Sequence, residues 1–110
     1  VHFADLENDK YHSLAKKYMP NGTCGVLAFG VKGGREKSIK FMDSLKFASI
    51  VTHVADAKTC LLHPASHTHR QLSETQLIEA GINPDLIRLS VGIENVEDII
   101  ADLKQALEKI

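Results

Sequence analysis

The sequence has 110 residues, of which 44% are hydrophobic and 25% charged, with a formal net charge of -1. That is enough chain for one packed domain of ordinary soluble balance. The charge is too even for a protein drawn generally to nucleic acid or to anionic membranes, and no apolar run approaches the ~20 residues that span a bilayer.

The first predicted element is a helix over residues 5–18. Tyr11, Leu14, Ala15 and Tyr18 repeat at the i, i+3, i+4, i+7 spacing of an amphipathic face, and Pro20-Asn21-Gly22 ends it. Thr23 to Val31 reads as a strand. Gly33-Gly34 breaks the chain before a second helix from Arg35 to Leu45, with Ile39, Met42 and Leu45 facing inward. Phe47 to Val54 and Thr59 to His63 read as strands, the latter closed by Pro64, which cannot donate to a sheet ladder. Ser73 and Gln76 have the spacing of a capping box. They predict a short helix to Ala80 stopped by Gly81. Leu86 to Gly92 is the fourth strand. Asn95 caps a last helix, with Glu97 and Asp98 near the positive end of its dipole. Val96, Ile99, Ile100, Leu103, Leu107 and Ile110 form its apolar stripe.

Short connections, and middle strands close enough in sequence for antiparallel pairing, predict an α+β fold. This is a mostly antiparallel four-stranded sheet with helices on one face and the other face free. No repeat or linker divides the chain. It opens on Val1 with no charged-then-apolar leader, which fits a processed product or a segment that begins inside a longer polypeptide. Cys24 and Cys60 belong to no C-x-x-C pair. They are expected as free structural thiols in a reducing, cytoplasmic setting, with a disulfide between them left open.

Arg88 is the first candidate for chemistry. Side chains alternate along a strand, so Ile87, Leu89 and Val91 are expected to enter the core while Leu86, Arg88 and Ser90 face the other way. A guanidinium on so apolar a strand calls for an anion. A carboxylate matches its two parallel N–H groups, but a salt bridge within the chain, or plain exposure, is the simpler reading. The histidines are the second candidate. His63-Pro-Ala-Ser-His67-Thr-His69, with His53, offers metal-ligand chemistry but no supporting cysteine or carboxylate spacing. Gly30-Val31-Lys32-Gly33-Gly34 lacks both phosphate-loop patterns and reads as a turn.

Three stretches together carry a family resemblance. They are Asp56-Ala57-Lys58-Thr59 with Leu61 to His69; Gly81-Ile82 with Pro84 to Glu94; and Val96 to Leu103 with Ala106-Leu107. In combination they resemble the C-terminal domain of the Cys/Met-metabolism enzymes that depend on pyridoxal phosphate (PLP). Thr23 to Phe29 extends the resemblance, so it covers essentially the whole chain. Thr52–Thr59 and His69–Leu72 are most similar to the O-acetylhomoserine sulfhydrylase branch. The resemblance implies PLP as cofactor in the parent enzyme, O-acetylhomoserine and sulfide as substrates, and homocysteine and acetate as products. It also implies a large domain in the same polypeptide and a homotetrameric parent. The matching arginine of the family binds the substrate α-carboxylate, which gives Arg88 that role. At His53 relatives commonly carry Ser or Asn near the same carboxylate, so His53 is a second substrate-binding candidate and a departure from the pattern.

No Ser-x-Thr-Lys segment for the cofactor lysine occurs here, so the chain by itself is expected to bind no PLP, carry no catalytic residue and be inactive. Two alternatives stand beside this reading. One is the same domain from a cystathionine gamma-synthase or gamma-lyase. The other is a stand-alone metal-binding module built on the histidines.

Overall fold

The computed structural model describes residues 1–110. Its elements in chain order are α1 (His12–Tyr18), β1 (Val26–Gly30), α2 (Gly34–Asp43), β2 (Ser49–Ile50), β3 (Cys60–Leu62), α3 (Glu74–Glu79), β4 (Leu86–Ser90) and α4 (Val96–Leu107). The strands form one sheet in the order β1-β4-β3-β2. β4 pairs antiparallel with both neighbours, Arg88 standing opposite Ala28 on one side and Leu62 on the other. The architecture is the expected α+β, mostly antiparallel sheet.

Alternation along β4 sorts the residues as predicted. Ile87 and Leu89 join Leu61, Phe41, Met42 and Ala106 in one buried cluster that α2 and α4 cover. Phe29 meets Phe41 edge to face, with ring centroids 5.8 Å apart. Val91 does not join them: it lies beyond the end of β4 and is 39% exposed. The capping box forms, Ser73 Oγ accepting from Gln76 N while Gln76 Oε1 accepts from Ser73 N. Gly81 follows α3 with φ 75, a left-handed value that favours glycine. Asn95 Oδ1 accepts from Glu97 N at the start of α4.

Four more expectations need correction, besides Ile39 of α2, which is exposed and not inward. The first helix covers only His12–Tyr18, and of its apolar face only Ala15 is buried; Tyr11, Leu14 and Tyr18 are exposed. The preceding residues instead turn and bridge to β1 through His2 and Ala28. β2 is two residues long and runs parallel to β3. Its backbone groups explain why. The N–H groups just before it are taken by a side chain of α4, and carbonyls just after it by Arg88, so no ladder extends. The nine-residue return from Val51 to Thr59 brings β3 in beside it in the same direction. Third, the sheet face away from the helices is not free, because Cys60, Leu62 and Ser90 on it are buried. Fourth, α4 turns Ile99, Asp102 and Ala106 inward and leaves Val96, Ile100 and Leu107 about half exposed.

Asp102 is the unexpected member of that inner face. Its carboxylate accepts from the backbone N–H groups of Lys46, Phe47 and Ala48 at 2.8–3.0 Å, and Gln105 Nε2 donates to it. Burial alone would raise the pKa of Asp102, but the three backbone donors and Gln105 outweigh it and the net shift is downward. Residues 46–48, which lead into β2, are thereby tied to α4. No helix is long and apolar enough to cross a membrane.

Candidate functional site

Residues 51–59 pass over the sheet face opposite the helices, and Arg88 rises from β4 to meet them. Its Nη2 donates to the carbonyl oxygens of Thr52 at 2.8 Å and His53 at 3.0 Å. Its Nε is buried and makes no hydrogen bond. No carboxylate lies within ion-pairing distance; the two ion pairs of the chain are Lys16–Asp5 and His53–Asp56. The salt bridge within the chain, the simplest reading of Arg88 from sequence, is therefore not what holds it. A buried charged donor without a partner costs about 1–3 kcal/mol or more. The arrangement thus fixes the Nη2 corner of the guanidinium on neutral carbonyls and leaves its positive charge without an acid partner. That is the state of an arginine ready for an anion.

Two positions along the same face, Ser90 Oγ is also buried without a hydrogen-bond partner. It borders a cup of about 220 Å³ that Cys24, Val26, Val54, Ala55 and Val91 help to line. Ala55 holds a positive φ of 61, the only non-glycine residue to do so. His53 contributes through its backbone: its carbonyl oxygen accepts from Arg88 and from Cys60 Sγ. Its imidazole is 69% exposed, with Nδ1 3.8 Å from Asp56 Oδ2. The structure therefore places both sequence candidates at one spot, Arg88 by its side chain and His53 by its main chain.

The far end of the 51–59 segment is held by residues that sequence reasoning missed. Glu94 Oε1 accepts from Thr59 N at 2.7 Å and Oε2 accepts from Thr59 Oγ1 at 2.8 Å. Thr59 Oγ1 in turn accepts from Gly92 N. Gly92 allows this close approach, since a Cβ there would overlap Glu94 Oε2, the carbonyl oxygen of Ala57 and the nitrogen of Thr59. The Thr59 backbone N–H is the main reason that the pKa of Glu94 is held below the usual carboxylate range. Thr59 and Glu94 are 35 positions apart, so no local pattern could have joined them.

The other histidines point elsewhere. His63 is fully buried, its Nδ1 2.6 Å from Ser66 Oγ and its Nε2 2.7 Å from the Pro84 carbonyl oxygen. Burial lowers its pKa, with the nearby His67 and Arg35 adding in the same direction. A neutral ring that donates from Nε2 and accepts at Nδ1 satisfies both contacts. His67 turns to the His63 backbone and His69 to Thr68. No three His, Cys, Asp or Glu side chains converge as metal ligands would. Both cysteines are free, Cys60 buried and Cys24 exposed.

The residues present do not fit PLP. Every lysine except Lys37 is exposed, and a Schiff-base lysine needs an enclosed, desolvated pocket. Lys37 lies against Gly33, which would clash with it if it carried a Cβ. Gly33 and Gly34 are accounted for by their positive φ values of 108 and 71, and Gly34 faces open space with no close approach to serve a phosphate.

Comparison with known proteins places the geometry in context. A profile described as Cys/Met metabolism PLP-dependent enzyme matches residues 1–108. A homocysteine synthase of Schizosaccharomyces pombe is 51% identical over 98% of this chain, and an O-acetyl-L-homoserine sulfhydrylase of Leptospira meyeri is 45% identical over all of it. In each case the chain spans 25% of the relative's length. A Campylobacter jejuni crystal structure, assigned as O-acetylhomoserine (thiol)-lyase and carrying a pyridoxyl-lysine phosphate, superposes with a TM-score of 0.86 at 43% identity. It matches 96% of this chain and 25% of its own.

Proposed function

The chain belongs to the Cys/Met metabolism PLP-dependent enzyme family, and from that premise we propose that residues 1–110 form the C-terminal domain of an O-acetylhomoserine sulfhydrylase. The whole enzyme converts O-acetyl-L-homoserine and sulfide to homocysteine and acetate, and this domain supplies the wall of the pocket that binds the substrate α-carboxylate. The cofactor lysine lies in a large domain outside these residues. Bound there, PLP supplies the electron sink for exchange at the γ-carbon. The same reading makes the whole enzyme a cytoplasmic homotetramer that acts on small molecules rather than on nucleic acid or membranes.

One observation supports the assignment above the rest: the Arg88 guanidinium is held at Nη2 by the Thr52 and His53 carbonyl oxygens, while its buried Nε has no partner and no acid lies within ion-pairing distance. Arg88 receives the carboxylate through Nη1 and orients the amino acid with its γ-ester pointing away from β4. His53 stands at the pocket mouth, where its exposed ring turns to donate a second hydrogen bond to the carboxylate. These residues bind and orient; bond breaking is left to groups outside the chain.

The test is substitution in the full-length enzyme. Arg88→Ala is expected to raise the Michaelis constant for O-acetylhomoserine at least ~10-fold, since a charge-assisted pair contributes about 1.5–3 kcal/mol. His53→Ala should produce a smaller rise. An unchanged Michaelis constant in Arg88→Ala would remove the carboxylate role.

A further inference from the structure

Arg88 is only as well placed as the segment that holds it. Its two acceptors are main-chain carbonyl oxygens at residues 52 and 53, and these sit in a stretch with no regular structure between Val51 and Thr59. Such a stretch makes a poor anvil unless both ends are fixed. At the near end, Val51 N donates to the Leu61 carbonyl oxygen at 3.2 Å. At the far end, Glu94 grips Thr59 through both carboxylate oxygens, and Gly92 N completes the grip on Thr59 Oγ1. Ile93 N also reaches the Ala57 carbonyl oxygen at 2.9 Å. Gly92, Ile93 and Glu94 lie one residue past the strand that carries Arg88, so the arginine and the clamp on its acceptors share one short run of chain.

Resting on the carboxylate role assigned above, we propose that Glu94 and Thr59 are positioning residues for substrate binding: their clasp holds the 51–59 segment so that the Thr52 and His53 carbonyl oxygens orient the Arg88 guanidinium. Neither side chain touches the guanidinium or faces the carboxylate. Their effect is carried entirely through the backbone of residues 52–58. A hydrogen bond from a backbone N–H and one from a hydroxyl, both to an ionised carboxylate, are strong and directional enough to fix one register of the segment.

The clasp predicts a pattern that a purely structural contact does not. In the full-length enzyme, Thr59→Val keeps the shape and removes the hydroxyl, and Glu94→Ala removes both acceptors. Each should raise the Michaelis constant for O-acetylhomoserine roughly 5–10-fold, the loss of one or two good hydrogen bonds, while kcat changes by less than about twofold. Thr59→Ser, which keeps the hydroxyl, should restore most of the binding. Amide hydrogen exchange, followed by mass spectrometry, should speed up over residues 52–58 in Thr59→Val and Glu94→Ala but not in Thr59→Ser. Where Glu94→Ala fails to fold, Glu94→Gln takes its place with a smaller rise, because its amide leaves the Thr59 hydroxyl proton without an acceptor.

Faster exchange with an unchanged Michaelis constant would overturn the proposal and leave the clasp a structural contact. Unchanged exchange, or a Thr59→Ser enzyme as impaired as Thr59→Val, would overturn it as well. These failures are distinct from failure of the carboxylate assignment, which shows as an unchanged Michaelis constant in Arg88→Ala itself.

Discussion

The two faces of the sheet are built from the same four strands and do opposite things. Toward α2 and α4, Leu61, Ile87 and Leu89 are buried among apolar neighbours with no polar group to satisfy. On the other face, Arg88 and Ser90 bring polar atoms under the 51–59 segment, and two of those atoms, Arg88 Nε and Ser90 Oγ, lack partners. One face spends its area on stability. The other keeps uncompensated polarity, which lowers stability and is what binding an anion requires. The strand period of two lets both purposes share β4.

Substitutions can pull the two faces apart. The largest expected effect is on the helix face: Leu61→Ala or Ile87→Ala should cost about 2–5 kcal/mol in denaturant unfolding. The Michaelis constant of the enzyme that remains folded should stay where it was. A change in substrate affinity comparable to that of Arg88→Ala would dissolve the separation.

Asp102 comes next. Asp102→Ala strands the N–H groups of Lys46, Phe47 and Ala48 and should destabilise by about 1–3 kcal/mol in the same assay. Because the folded-state pKa of Asp102 is depressed, its stabilising contribution is present above the ordinary carboxylate range and is lost as pH falls through the depressed value. Glu94 follows the same sign. His63 adds an earlier step. Its folded pKa lies below the ordinary 6.5, so as pH drops past that value the unfolded chain takes up a proton that the folded chain refuses, and stability declines. In His63→Gln the stability curve should be flatter across this first step, though lower throughout. An equally steep decline in that variant would show that His63 is not its source.

The smallest expected effect lies in the segment over the Arg88 face. Ala55 carries a positive φ, a conformation that costs an L-residue roughly 1–2 kcal/mol. Ala55→Gly should therefore stabilise by about 0.5 kcal/mol once glycine's greater unfolded freedom is subtracted. A destabilised Ala55→Gly would mean that the methyl group's packing in the cup beside Ser90 outweighs the strain.

The helix face was the legible one. The period of β4 assigned Ile87, Leu89 and Arg88 to their sides, and the capping signals at Ser73 and Asn95 located two helix starts, because these rules act within a few residues. The misreadings came where a distant side chain took over a local rule. Phe47 to Val54 has the composition of a strand, but Asp102 takes its first N–H groups and Arg88 its later carbonyls, so only Ser49–Ile50 enters the sheet. The helix over residues 5–18 formed only from His12 to Tyr18, and its expected inward face is open: Tyr11, Leu14 and Tyr18 have helical spacing but no apolar surface against them among these residues. A signal for Asp102 did exist, a carboxylate at i+3 from Ile99 and i-4 from Ala106 on an inward face. For the Thr59–Glu94 clasp there was none. The resemblance suggested a role for Arg88; only the folded structure shows what steadies its side chain.

The central claim is that Arg88 is held by two carbonyls so that its free edge can take a carboxylate. The most direct measurement is a crystal structure of the full-length enzyme with an unreactive amino-acid analogue of O-acetylhomoserine bound. The account predicts that Arg88 keeps its contacts to the Thr52 and His53 carbonyl oxygens and places Nη1 about 2.7–2.9 Å from a carboxylate oxygen of the analogue. A carboxylate bound by other residues, with Arg88 Nη1 away from it, would contradict it.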